Sequence, residues 1–297
     1  MPPRFHTSIM PLVERAPAKL NLGLHVLRQR PDGFHDVETV LHRIDWADTV
    51  TAQPADTLSM TCSDPALPTD DENLCMQAAR RLAAAFDVTR GAELHLEKRV
   101  PYGAGLGGGS SDAAATLRLL TRLWDLEASA DRLHAIAAEI GADVPFFLGE
   151  ASAAYATGRG DELTALHDED EPYRLPFSVV VAVPPIEVAT PDAYARVTPD
   201  DTDRPHLPSV VRSNDLAHWQ DALVNDFGGP ISAAYPEVAR VCDWLQERGA
   251  AYVSLSGSGG AVYGVFEEEA DAESLLNTVP DDVRVHLASP ADPVNKS

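Results

Sequence analysis

Cysteine is scarce in this chain: Cys62, Cys75 and Cys242 lie far apart, are odd in number, and show no C-x-x-C or Cys/His ligand spacing. That argues against a disulfide framework and against a structural zinc site. Long apolar runs are also missing. The longest, Val179–Val183, falls far short of the roughly 20 residues of a membrane-spanning helix. The Met1-Pro-Pro-Arg4 start lacks the basic and then apolar regions of a signal peptide, so a cytoplasmic location is expected. Lysine is the rarest charged residue, with Lys19, Lys98 and Lys296 standing against 20 arginines. Basic residues total 23 against 46 acids, 28 of them Asp, for a net charge of −23. Such a surface repels phosphate polymers and anionic lipid, so neither nucleic acid nor membrane is an expected partner. The acids are scattered, which excludes an acidic tail. An acidic surface suited to a salt-rich interior is favoured over a general bias from Lys to Arg.

What is present suffices for sizeable cores: 297 residues, 44% of them hydrophobic, a length that suggests two domains. Leu20, Leu22, Leu24 and Val26 alternate with other residues, and short strands are expected at 37–44, 49–53 and 58–62. Asn73 to Phe86 reads as a helix with Leu74, Ala78, Leu82 and Ala85 on one face, and Leu94 and Leu96 mark a further strand. Helices are expected again after residue 112, from Ala130 to Ile140, from Ala239 to Glu247 and around Ala270 to Leu276. Further strands fall at 151–157, 177–183, 252–255, 261–266 and 283–287. The stretches 168–171 and 199–209, rich in Asp, Glu or Pro, read as surface loops. Consecutive strands mixed with paired helices favour an α+β fold, with domains at 1–155 and 156–297.

The most informative segment is Pro101-Tyr-Gly-Ala-Gly-Leu-Gly-Gly-Gly-Ser-Ser-Asp112, running directly into a helix patterned by Ala113, Leu117, Leu120 and Trp124. Glycines let successive backbone N–H groups converge on an anion, and the helix start adds unpaired N–H groups and a positive dipole end. Phosphate binding is favoured over a flexible loop. The loop satisfies G-x-G-x-x-G at Gly103, Gly105 and Gly108, but about a hundred residues precede it and a helix pair follows it, unlike a dinucleotide unit. The P-loop pattern fails because Gly109 stands where its lysine belongs.

With its Pro101, Gly103, Ala104, Gly105, Leu106, Gly107, Gly108, Gly109, Ser110 and Ser111, the loop resembles the ATP-binding motif of the GHMP kinase superfamily. Four further segments resemble one branch of it, whose acceptor is a cytidine diphosphate-linked polyol. They are Ala16–His25, Arg30–His35, Gly141–Phe147 and Leu255–Gly260, in the branch's order. The resemblance spans residues 16 to 266. It implies a two-domain GHMP kinase fold, with an amino-terminal domain like ribosomal protein S5 domain 2, a ferredoxin-like carboxy-terminal domain, and the active site in the cleft between them. It also implies ATP as phosphoryl donor and Mg²⁺ as cofactor. The protein is expected to be a monomer or homodimer.

Residue by residue, the resemblance matches Lys19 and Asp143 to the catalytic pair. Asp143 would accept the proton of the acceptor's 2-hydroxyl, and Lys19 would keep that carboxylate ionised and offset transition-state charge. Taken alone, Lys19 reads equally as a snorkelling surface charge and Asp143 as a helix cap. On a strand Asn21 shares the face of Lys19, and the resemblance gives it a substrate contact. It likewise assigns His35 to a cytosine edge, and Phe34 and Tyr194, the latter in Thr190-Pro-Asp-Ala-Tyr194, to the two faces of the base. Phe34 stands where Tyr is frequent in the branch and His42 where Gln is. Asn73 and Lys98 are candidates for the nucleotide pocket or for capping and surface roles. No metal ligands are assigned. The alternatives are another small-molecule kinase of the superfamily, acting on homoserine or mevalonate, a non-catalytic ligand sensor on the same fold, and, more remotely, an NAD-binding enzyme.

Overall fold

The computed structural model describes residues 10–288, so Lys296 and the Met1–Arg4 stretch lie outside the described residues. The chain begins with β1 (Leu12–Gln29), β2 (His35–Ala55), β3 (Ser59–Cys62), α1 (Leu74–Ala85) and β4 (Gly91–Glu97). Three helices follow, α2 (Gly108–Leu123), α3 (Ala130–Ile140) and α4 (Val144–Leu148), then β5 (Ala153–Thr157) and β6 (Glu162–Ala165). A minimal hairpin, β7 (His167–Asp168) and β8 (Glu171–Pro172), precedes β9 (Ser178–Val183). Four short helices come next: α5 (Thr190–Tyr194), α6 (Leu207–Arg212), α7 (Leu216–Ala222) and α8 (Gly228–Ala234). The chain ends with α9 (Pro236–Glu247), β10 (Tyr252–Leu255), β11 (Val262–Phe266), α10 (Glu269–Leu275) and β12 (Arg284–Ala288).

Contacts divide these elements into two compact units. One holds the residues up to Ala16, Asp48–Arg99 and Gly109–Leu148; the other holds Pro17–Ala47, Val100–Gly108 and Gly149 onward. In the first unit the end of β2 pairs antiparallel with β4, from Thr49 opposite Glu97 to Ala55 opposite Gly91. Strand β3 runs parallel to β4 on its other side, with Ser59 opposite Glu93. A parallel neighbour demands a crossover, and α1 supplies it. Asn73 caps α1, its side chain accepting from the Cys75 N–H at 2.9 Å and donating to the Pro68 carbonyl at 2.8 Å. Helix α1 buries Cys75, Met76, Ala78, Ala79 and Leu82, a face rotated from the expected one because Leu74 and Ala85 are only half-buried. Desolvation raises the thiol pKa of Cys75.

In the second unit the start of β2 pairs with β5, Thr39 opposite Ala156, and β5 pairs with β6. The carboxy-terminal sheet has the order β10-β11-β9-β12, all neighbours antiparallel. With α9 and α10 this is the ferredoxin-like succession of strand, helix, two strands, helix and strand that the resemblance implies. Its core on one side gathers Val180, Ala182, Trp244, Leu245, Val262 and Phe266.

Two expectations are corrected. Segments 37–44 and 49–53 are one continuous strand, because the polar interruption at Asp48 is buried and bonded, its Oδ1 accepting from the Arg99 N–H at 2.5 Å. The loop expected at 199–209 ends early, since Leu207 and Pro208 are buried in α6.

His42 belongs to this scaffold rather than to a binding surface. Its Nε2 accepts the Leu175 N–H at 3.1 Å, its ring meets Tyr173 edge-on, and burial pulls its pKa down to about 4. Folded His42 therefore stays neutral as pH falls from 6.5 towards about 4, while the unfolded chain takes up the proton, so stability is lost across that window. His42→Gln should flatten this acid limb in urea unfolding at pH 7 and 4.5. An unchanged pH slope would refute the assignment.

Candidate active site

In the second unit the site is built on β1. Lys19 and Asn21 are each only 4% exposed, so the strand is buried on both faces and its polar face is a built feature rather than solvated edge. The Lys19 ammonium donates to the Asn21 amide oxygen and, at 2.6 Å, to the carbonyl of Gly105. Asn21 in turn donates to Thr39 Oγ1 at 2.9 Å, and Thr39 donates to the Gly23 carbonyl at 2.6 Å. The Lys19 N–H bonds the Leu106 carbonyl at 2.9 Å, so the strand is stitched to the glycine loop by main chain as well as side chain.

The loop itself is held by the second glycine turn, 255–260. Ser256 Oγ donates to the Gly105 carbonyl at 2.9 Å, and the Ala261 N–H bonds the Ala104 carbonyl at 3.0 Å. Both turns need glycine at the point of contact. A Cβ on Gly259 would fall 2.3 Å from the Ala104 carbonyl carbon, and one on Gly105, where φ is +84°, would fall 2.1 Å from the Ser256 carbonyl oxygen. Asn225 donates to the carbonyls of Leu255 and Gly257 at 2.9 and 3.0 Å, fixing the second turn from behind.

In the first unit, Ser110 and Ser111 lie in the first turn of α2. Ser111 is fully buried, and its Oγ has no hydrogen-bond partner among the described residues. A buried orphan hydroxyl at a helix start suits a phosphate oxygen. Gly141 lies beside this turn, since a Cβ there would come 3.9 Å from Ser110 Oγ. Gly141 leads into half-buried Asp143 at the head of α4. Two bonds to the backbone help to hold the segment: Val144 N–H to the Gly141 carbonyl at 3.1 Å, and Arg118 Nη1 to the Phe147 carbonyl at 2.6 Å.

A third group, in the second unit, surrounds His35. Its ring stacks on Tyr194 with centroids 4.7 Å apart and planes at 27°, and Tyr194 meets Phe227 edge-on. Thr190 opens α5, the short helix that ends at Tyr194. Phe34 is 57% exposed, and the Arg159 guanidinium lies over its ring, 5.2 Å from the centroid. The ring stacked on Tyr194 is thus His35, and Phe34 is paired with a cation.

The family models described as GHMP kinases N terminal domain and GHMP kinases C terminal match residues 73–150 and 211–284. A "4-diphosphocytidyl-2-C-methyl-D-erythritol kinase" of Salinibacter ruber (strain DSM 13855 / M31) is 64% identical over 279 residues, 94% of this chain and 98% of the relative. The chain belongs to the 4-diphosphocytidyl-2-C-methyl-D-erythritol kinase family. A second member of the family, from Chlorobium chlorochromatii (strain CaD3), is 44% identical over 92% of this chain and 94% of its own. Among solved structures, a 4-(cytidine 5'-diphospho)-2C-methyl-D-erythritol kinase superposes with a TM-score of 0.78 at 33% identity, covering 94% of this chain and 98% of that one. A homoserine kinase from Cytophaga hutchinsonii shares the fold, with a TM-score of 0.74 at 18% identity over 98% of both chains.

Within this 4-diphosphocytidyl-2-C-methyl-D-erythritol kinase family framework, Lys98 is not a free cation. Its ammonium lies 2.5 Å from Asp48 Oδ2 and 3.0 Å from Asp112 Oδ2, with all three side chains at most 6% exposed. The rarity of lysine at Lys98 and the position of Asp112, directly after the two serines of the loop motif, are the signals in the sequence that point to this cluster. Nothing in the sequence marks Asp48, whose partners are tens of residues away. Asn73 is used as the cap of α1.

Proposed function

We propose that this kinase transfers the γ-phosphoryl group of ATP to the 2-hydroxyl of 4-diphosphocytidyl-2-C-methyl-D-erythritol, a step on the non-mevalonate route to isopentenyl diphosphate. The bond from the γ-phosphorus to the β,γ-bridging oxygen breaks, a bond to the 2-oxygen forms, and the hydroxyl proton passes to Asp143, leaving ADP and the 2-phosphate. Lys19 offsets the charge that develops on the transferring group. The loop from Pro101 to Gly109, with Ser110 and Ser111, cradles the phosphates. The observation that carries this reading is the buried Lys19 ammonium bound to the glycine-loop carbonyl, in a chain with relatives of this name.

Asn21, Phe34, His35, Thr190 and Tyr194 are read as the acceptor site, the exposed Phe34 ring suiting a pyrimidine face and His35, backed by Tyr194, its edge. Among the described residues no group of three His, Cys, Asp or Glu could hold a metal ion. Mg²⁺ would therefore enter as an ion carried by the nucleotide phosphates, where it would offset charge on their oxygens. The family matches at 73–150 and 211–284 fall one in each of the proposed domains, 1–155 and 156–297, whereas the compact units are discontinuous and join 17–47 and 100–108 to the later chain. The cytoplasm is the compartment that suits an ATP-dependent kinase of a phosphorylated small molecule. No helix of the described residues is long and apolar enough to cross a membrane. Monomer and homodimer both suit the reading.

The test is ATP-dependent turnover with four acceptors: the diphosphocytidyl substrate, free methylerythritol phosphate, homoserine and mevalonate. Turnover of the first alone is expected. Preference for any other acceptor would replace the substrate, and no turnover with any would favour a ligand sensor.

A further inference from the structure

Lys98, Asp48 and Asp112 join three elements inside the first unit: the residue just after β4, the middle of β2, and the start of α2. Each is tied a second time. The Lys98 N–H donates to Ser63 Oγ at 2.9 Å, Asp48 Oδ1 accepts from the Arg99 N–H at 2.5 Å, and the Asp112 carbonyl accepts from Thr116 Oγ1 at 2.9 Å. Charges this deep are costly, and well-packed apolar side chains of similar volume often stabilise a fold as well or better. Bulk stability is therefore a poor reason for the cluster, whereas direction is a good one.

Helix α2 opens with Gly108 and Gly109, the residue type with the most backbone freedom to lose on ordering. Its first turn is thus weak where Ser110 and Ser111 must be held steady. Asp112, directly after them, is the α2 side chain through which a charge anchors this turn.

We propose that Lys98, with Asp48 and Asp112, is a positioning residue for ATP, fixing the opening turn of α2 so that Ser110 and Ser111 stay aimed at the phosphates. This rests on the reading of that turn as the phosphate site. Burial is the main cause that raises the Asp112 pKa, with Lys98 opposing and Asp48 adding, while Lys98 is held charged. The Cys75 thiol of α1 also faces Asp112, and burial keeps it protonated.

The test compares KM for ATP with KM for the diphosphocytidyl acceptor in the full-length enzyme. Lys98→Met should raise the ATP value by about 10- to 100-fold, the scale of a small displacement of binding groups, and leave the acceptor value nearly unchanged. Asp112→Asn, which keeps an oxygen for the ammonium, should raise it less than Asp112→Leu. The decisive variant replaces the whole cluster, Lys98→Met with Asp48→Leu and Asp112→Leu. Recovered thermal stability with a still-raised KM for ATP is the expected result. If KM for ATP returns with stability, or if folded Lys98→Met binds ATP normally, the cluster is only structural and the proposal falls. Ser111→Ala is the separate control: a normal KM for ATP in that variant overturns the phosphate-site reading itself, whatever Lys98 does.

Discussion

Asp143→Ala is expected to lower kcat by on the order of 10²–10⁴-fold, the range for removing a positioned general base. Two main-chain bonds of the segment, the Phe147 N–H to the Asp143 carbonyl at 3.4 Å and the Val144 N–H to the Gly141 carbonyl at 3.1 Å, do not involve the carboxylate. An alanine methyl leaves them in place, and Val144, Pro145, Phe146 and Phe147 remain to be buried. KM for ATP should therefore move far less than kcat, because phosphate cradling is assigned to the loop and to Ser110 and Ser111. A folded Asp143→Ala enzyme with wild-type turnover would remove Asp143 from the mechanism.

Gly105→Ala should be strongly damaging for a single added methyl. Its Cβ would meet the Ser256 carbonyl oxygen at 2.1 Å with φ at +84°. Left-handed backbone costs an L-residue about 1–2 kcal/mol, and forced overpacking typically adds about 1–3 kcal/mol. The Gly105 carbonyl also accepts from both Lys19 and Ser256, so any relief of the clash moves the acceptor away from the ammonium. Stability and turnover should fall together. Gly33→Ala provides the comparison: φ is +88° there, with nothing within 4 Å of the new methyl, so only the backbone penalty applies. Urea unfolding of the two variants separates the contributions. Equal losses would show that the packing of the two glycine turns contributes nothing.

The loop and the strand ends around it are legible because their signal is local. Five glycines in seven residues, two serines and a patterned helix allow few conformations, and the alternation at Leu20, Leu22 and Leu24 by itself places Lys19 and Asn21 on one face. The individual strands of the carboxy-terminal sheet are readable for the same reason, whereas their ferredoxin-like arrangement comes from the resemblance. Four helices between residues 190 and 234 carry no readable signal, because at five to seven residues they span less than two turns, too short for a 3.6-residue period to register. The single strand through Asp48 is hidden because its charge is satisfied by Lys98 and Arg99, 50 and 51 residues away. The stack of His35 on Tyr194 likewise joins residues whose proximity only the fold creates.

The discontinuity of the two units also sets an order of events at the ribosome. The first unit has all its segments once Leu148 is made, but Pro17–Ala47 of the second must wait for Gly149 and beyond. That gap is on the order of a hundred residues, or roughly 5–20 s at common elongation rates. Throughout it Leu20, Leu22 and Val40, all destined for burial, lack their core partners Val179, Val181 and Val265, and Val26 lacks Val180 and Ala182. The stretch that carries Lys19 and Asn21 therefore stays open to aggregation until the chain beyond Gly149 is made.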